Sequence, residues 1–287
     1  MPSDTPEKSR GPQALSAPIF RRTRAKHDVL AALTEFYCLR PKDLARLERN
    51  REPTQSDIRS VNATLKLLRQ ENLIRRIPYF DSRQYTGTIT YVYGLNYAAV
   101  RKIGEPARYF DDHSVRTLEH ELEISLFHMA LKALCQSHRW DLRWHQDAIS
   151  HQRPVNPDAF FVITKSEHGE ANNSFSFFLE IERSKIGNHK NGEPSIMRKL
   201  AQYYETYNTD QCYRNWNLTT FRVIVQVLNK TRAENLLTAL ARRFNHSMFW
   251  KSLESARTAQ HGFNRIFILV EVFWLHKLQS DFFACNL

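Results

Sequence analysis

Residues 156–185 read NPDAFFVITKSEHGEANNSFSFFLEIERSK. Two apolar, aromatic runs, DAFFVIT and SFSFFLEIERS, flank KSEHGEANN, which is rich in turn formers, so the stretch reads as a β-hairpin. Strand alternation puts Phe178, Glu180 and Glu182 on one face of the second run and Leu179 and Ile181 on the other. Asp158, at the start of the first run, can reach the same spot. Taking an ionised carboxylate out of water is costly unless a cation, a metal or hydrogen bonds compensate it. Three of them on one hairpin therefore imply a compensating partner. A shared divalent cation supplies one, and oxygen donors of this kind suit Mg²⁺ or Mn²⁺.

The sequence on either side supplies helices and further strands. SVRTLEHELEISLFHMALKALCQSHRW (114–140) is apolar on two sides of a helix: Leu122, Leu126, Met129 and Ala133 line one, and Ile124, Phe127, Leu131 and Leu134 the other. Such a helix belongs inside a core. His120 falls beside Ile124 and Phe127, where a satisfied core or capping histidine is the plain reading. Downstream, EPSIMRKLAQYYETY (193–207) spaces Lys199, Tyr203 and Tyr207 by four residues on a helix. A strand (221–228), a helix (230–244) and a last strand (265–275) follow. A mixed α/β sheet flanked by helices accommodates that order.

The first third of the chain reads differently. RAKHDVLAALTEFYCL (24–39) and PKDLARLER (41–49) are helical, the second opening on Pro41. SDIRSVNATLKLLRQ (56–70), capped by Ser56 or Thr54, carries Ile58, Val61, Leu65 and Leu68 as one stripe. Arg59, Asn62, Ala63 and Lys66 fall on the opposite face. Two β-rich runs around a polar turn end the segment. Three helices and a hairpin in this order predict a winged helix-turn-helix, whose third helix enters the major groove while the hairpin touches the backbone. Arg59, Asn62 and Lys66 then face duplex DNA, with Arg75, Arg76 and Arg83 along the wing.

Charge agrees with that division. Of the net +11, residues 1–110 hold 20 Lys/Arg against 11 Asp/Glu, and residues 111–287 hold 21 against 19. A surplus gathered on one domain suggests a polyanion there. No apolar run reaches the roughly 18 residues of a membrane helix. Four dispersed cysteines offer neither a disulfide framework nor a zinc site, so a reduced, cytoplasmic setting is expected. The expected organisation is a disordered leader (1–20), a winged helix (21–100), a linker (101–113) in the stretch that includes GEPARYFDDHS (104–114), and a mixed-sheet domain (114–287).

Pro157-Asp158 followed about twenty residues later by Glu180-Ile181-Glu182 resembles the PD…(D/E)xK signature of restriction-endonuclease-like nucleases. More narrowly, LEHELEI, PDAFF, FFLEIERSK and RKLAQYYETY, in that order, resemble the replication-relaxation family. That family includes MobC-like plasmid relaxases and carries a winged helix ahead of the nuclease-like domain. The resemblance implies an α/β (mixed α+β) architecture with metal-binding carboxylates at Asp158 and Glu180. It draws His120, Lys199 and Tyr203 to the active site, and Glu182 stands where the signature has lysine. Glu182 is then a further ligand or a general base, and Lys199 a better substitute for the lysine than Lys185. The implied activity is nicking of plasmid or mobile-element DNA at an origin-like site, by a monomer or homodimer working with relaxosome or replication proteins. A non-catalytic origin-binding accessory protein, a ligand-sensing transcriptional regulator and a covalent-tyrosine mechanism through YYETY are the competing expectations.

Overall fold

The computed structural model describes residues 17–79, 89–104, 107–110, 115–145, 155–165, 173–183, 195–209 and 216–227, short pieces between 214 and 239, and 267–271. Arg83, Lys185 and residues 1–16 of the expected leader lie outside this set. The chain divides into two compact units, Met1–Val115 and Arg116–Leu287.

The first unit contains α1 (Ala17–Phe36), β1 (Cys38–Leu39), α2 (Pro41–Arg49), α3 (Gln55–Gln70), β2 (Ile74–Tyr79), β3 (Thr90–Leu95) and α4 (Tyr97–Ile103). Helix α3 begins where Thr54 accepts a hydrogen bond from the Asp57 amide while the Asp57 carboxylate accepts one from the Thr54 amide. This reciprocal cap satisfies two donors that helix geometry leaves unpaired. Val61, Leu65 and Leu68 are buried, as are Leu33 and Phe36 of α1 and Leu44 of α2, and α3 lies against both of those helices. The strands form an antiparallel sheet in the order β1-β3-β2.

Two boundaries differ from expectation. Helix α1 starts at Ala17, inside the segment read as leader. Nor is 101–113 a bare linker. Asn96 caps α4 by accepting from the Ala99 amide, and the helix runs to Ile103 before Gly104 at φ 80° ends it. Phe110 is only 1 % exposed, and its amide donates to the Leu95 carbonyl at 2.6 Å. Its ring fills the space over Gly94, where a Cβ would meet the Phe110 Cγ at 2.4 Å. Burial of one aromatic ring outweighs the polar character that made the stretch look like a linker.

The second unit places α5 (Val115–His138) and α6 (Ser195–Asn208) with a five-stranded sheet of β4 (Asp141–His145), β5 (Ala159–Lys165), β6 (Asn173–Glu182), β7 (Arg222–Val227) and β8 (Phe267–Glu271). The order is β4-β5-β6-β7-β8. The β4-β5 and β5-β6 pairs are antiparallel, and β6-β7 and β7-β8 are parallel. Ile124, Phe127, Leu131 and Leu134 of α5 pack on Phe177, Leu179, Ile181 and Ile224. On the other face Ile196, Met197, Leu200 and Tyr203 of α6 pack on Phe178, Val223, Val225 and Val227. The fold is thus mixed α/β, and its central strand β6 is covered on both faces. Phe177 to Glu182 are all buried, which is why polar alternation disappears from this half of the strand.

His128 of α5 shows what such burial does to a titratable group. It is 5 % exposed and stacks on Trp144 with ring centroids 4.2 Å apart. Burial, assisted by the charge of Lys132, pushes the imidazole down to about 3. The unfolded chain takes up a proton below about pH 6.5 that the folded chain refuses, so this contribution to stability is lost as pH falls from there toward 3. Denaturant titrations at pH 7 and pH 4 should show wild type losing about 3 kcal/mol more than His128→Phe, at 1.36 kcal/mol per pH unit. Equal losses would place the acid sensitivity elsewhere.

Candidate functional site

The two antiparallel strand pairs meet the parallel ones at β6, whose carboxyl end lies beside the start of β5. Asp158, one residue before β5, donates its amide to the Leu179 carbonyl at 2.9 Å. Its Oδ2 accepts from the Ile181 amide at 2.6 Å. The carboxylate thereby replaces the next rung of the ladder, so the chain's register sets its position. Glu180 lies on the α6 side of the sheet and is 2 % exposed.

Both helices reach this point. From α5, His120 Nε2 stands 3.1 Å from Asp158 Oδ2. From α6, Lys199 Nζ stands 2.5 Å from Glu180 Oε2 and 3.8 Å from Asp158 Oδ1. One turn on, the Tyr203 hydroxyl donates to Glu180 Oε1 at 2.7 Å. Lys199 and Tyr203 are four residues apart, so one helix face delivers both. Asp158, Glu180, Lys199, His120 and Tyr203, all candidates from the sequence, are therefore brought together.

Glu182 shares the Glu180 face of β6, and its charge also acts on Lys199. It takes a hydrogen bond from Arg232 Nη2 at 2.8 Å, a residue that sequence reasoning passed over. Asp158 and Glu180 are the two carboxylates that Lys199 contacts directly. Among the described residues no three His, Cys, Asp or Glu side chains converge as a ready metal cage. The next residue, Arg183, turns to α5 and pairs with Glu119, and its Nη1 lies 3.5 Å from Glu123. Sequence alone gave no sign of these clamps, because they join positions 50 and 64 residues apart.

The electrostatics separate the two central carboxylates. Burial alone would raise Asp158, but the His120 hydrogen bond, the Lys199 charge and the Ile181 amide hold it below the ordinary carboxylate range. Burial, with the Asp158 charge adding to it, pushes Glu180 up to about 8 against the pull of Lys199 and Tyr203. His120 is raised: burial opposes its charge, but Asp158 favours it more. Lys199 is also raised, burial being outweighed by Glu180 and Asp158. Near neutrality the site accordingly holds an ionised aspartate, a glutamate that keeps its proton and the Lys199 ammonium, with His120 shifted toward its protonated form. Tyr203 is fully buried, and burial beside Glu180 drives its hydroxyl well above its usual value. Its hydroxyl donates to Glu180 and is closed off from solvent.

In the first unit, Arg59, Asn62 and Lys66 are all exposed on one face of α3. Arg75 and Arg76 are consecutive on β2 and point to opposite faces. Arg76 is exposed, its guanidinium 4.2 Å from the Tyr91 ring centroid, whereas Arg75 is half-buried.

The family model described as Replication-relaxation matches residues 30–221, two thirds of the chain, spanning both units and all five residues of the site. The chain belongs to the replication-relaxation family. No curated protein and no solved structure matches it. As a replication-relaxation protein it is tied to the replication or relaxation of DNA. Among its described residues no helix is long and apolar enough to cross a membrane.

Proposed function

We propose that this family member is a metal-dependent DNA nickase of the MobC-like relaxase kind, with a PD-(D/E)xK-type site in its second unit. The reading is carried by Asp158 and Glu180, delivered from adjacent strands to one lysine. Two carboxylates are what Mg²⁺ commonly takes from a protein, with waters and substrate phosphates completing the shell. The donor set therefore fits Mg²⁺ or Mn²⁺ held by Asp158 and Glu180. Bound there, the ion would neutralise charge on a phosphodiester and lower the pKa of a water. Lys199 supplies positive charge beside a scissile phosphate that two bare carboxylates would repel. His120, oriented by Asp158 and favoured in its protonated form, suits donation of a proton to the leaving oxygen. Glu182 is withdrawn from proton transfer by Arg232 and serves to fix the end of β6.

The first unit, read as a winged helix, would bring the chain to an origin-like duplex through Arg59, Asn62 and Lys66 of α3. Its affinity for duplex DNA should fall at least tenfold between 50 and 200 mM salt through counterion release. In Arg59→Ala the log-log slope should be shallower by about one phosphate contact. An unchanged affinity across that range would remove the electrostatic basis for DNA binding.

One observation favours a second reading. Lys199 and His120 already pair with Glu180 and Asp158, so the cluster could stand as a buried polar network in a non-catalytic origin-binding protein. Supercoiled DNA of the chain's own genetic element separates the two. Open circles formed with Mg²⁺ and not with chelator support the nickase; retarded bands with no cutting at any metal concentration support the binder.

A further inference from the structure

Tyr97 and Tyr109 are both strongly exposed, at 62 % and 49 %, and they touch, edge to face, with ring centroids 6.1 Å apart. Arg101 places its guanidinium 5.9 Å from the Tyr97 ring centroid, and Lys102 is exposed next to it. Neither tyrosine is held loosely. Tyr97 opens α4 immediately after its Asn96 cap, and Tyr109 lies between two anchored neighbours. Phe110 is locked over Gly94, and Arg108 has its guanidinium 4.2 Å from the ring centroid of buried Tyr37. Isolated exposed apolar residues need no explanation, but two rigid aromatic rings in mutual contact beside two cations form a defined surface.

We propose that Tyr97 and Tyr109, with Arg101 and Lys102, form a stacking platform for unpaired nucleotides. Every base has a π-face, so aromatic rings grip single strands without reading their sequence, while neighbouring cations neutralise the phosphates. The charge favours this occupant over an apolar protein surface, which would leave Arg101 and Lys102 without compensation. Its residues are other than Arg59, Asn62 and Lys66 of α3, which would hold the duplex. It rests on the reading of the chain as a DNA-processing protein, since nicking and relaxation expose unpaired strand.

The test uses the full chain and fluorescently labelled oligothymidylate of about 15 nucleotides, a length within the span that single-strand grooves accommodate, with a labelled duplex measured in parallel. Anisotropy should show the single strand bound by wild type and weakened about tenfold or more in Tyr97→Ala/Tyr109→Ala, the scale of one or more lost stacks. The Tyr97→Phe/Tyr109→Phe protein should retain wild-type affinity, because stacking needs the ring and not the hydroxyl. Duplex affinity should be the same in all three. Duplex binding without oligothymidylate binding, or equal oligothymidylate affinity in wild type and the alanine variant, overturns the platform and leaves the DNA reading standing. Failure to bind either nucleic acid overturns both. A change of oligomeric state in the alanine variant, with single-strand binding intact, assigns the surface to protein contact instead.

Discussion

Asp158→Asn is expected to abolish Mg²⁺-dependent conversion of supercoiled DNA to open circles, with the rate falling by more than about 100-fold. Removing even a neighbour that supports a metal ligand typically costs 10–100-fold, and loss of the ligand itself should cost more. The substitution is chosen because an asparagine oxygen can still accept from the Ile181 amide, so the β5-β6 junction stays paired. Glu180→Gln should behave alike, since glutamine can still accept from Tyr203. Lys199→Met and His120→Gln should also cut poorly while Glu182→Gln loses less, its partner being Arg232. A Glu182→Gln protein as inactive as Asp158→Asn would restore Glu182 to the reacting centre. Gel quantification of nicked circles at matched melting temperatures provides the measurement.

The second large effect is on stability. Lys199 is the cation that Asp158 and Glu180 share, and Glu180 is buried. Removing one partner of a buried ion pair leaves an uncompensated charge and costs about 3–5 kcal/mol. Lys199→Met, of similar length and uncharged, should lose about 3 kcal/mol at pH 9, the low end of that range because Lys199 is partly exposed. The loss should shrink toward pH 6, because Glu180 titrates near 8 and sheds its buried charge by taking a proton. A divalent cation that occupies the same carboxylates should stabilise the variant more than wild type, where it must compete with the ammonium. Denaturant titrations with and without Mg²⁺ at both pH values measure this. Equal stabilisation of the two proteins would mean that the ion binds elsewhere.

Local patterns carried much of this architecture. The stripe of α3, a cap by Ser56 or Thr54 at its start and the alternation that sets Glu180 and Glu182 on one face of β6 follow from spacing alone. The closeness of Asp158 to Glu180 was legible because both belong to one hairpin. Lys199 and Tyr203 were legible as a pair because they lie one turn apart. What stayed hidden depends on pairings between distant positions. Nothing near Glu182 announces Arg232, and nothing near Arg183 announces Glu119. The role of 101–113 was hidden for a different reason. Its Gly, Pro and charges read as solvated chain, and the single buried ring of Phe110 that anchors it is invisible to any periodicity.

The proposed nickase depends on Asp158 and Glu180 holding one dication. Titration calorimetry of Mn²⁺ into the full chain tests it most directly, at pH 8.5 where Glu180 has largely given up its proton. Wild type should bind one ion per chain saturably, more weakly at pH 6.5, where the ion must displace that proton. Asp158→Asn should give no saturable heat. Indistinguishable isotherms for the two proteins, or no saturable binding by wild type, would contradict it.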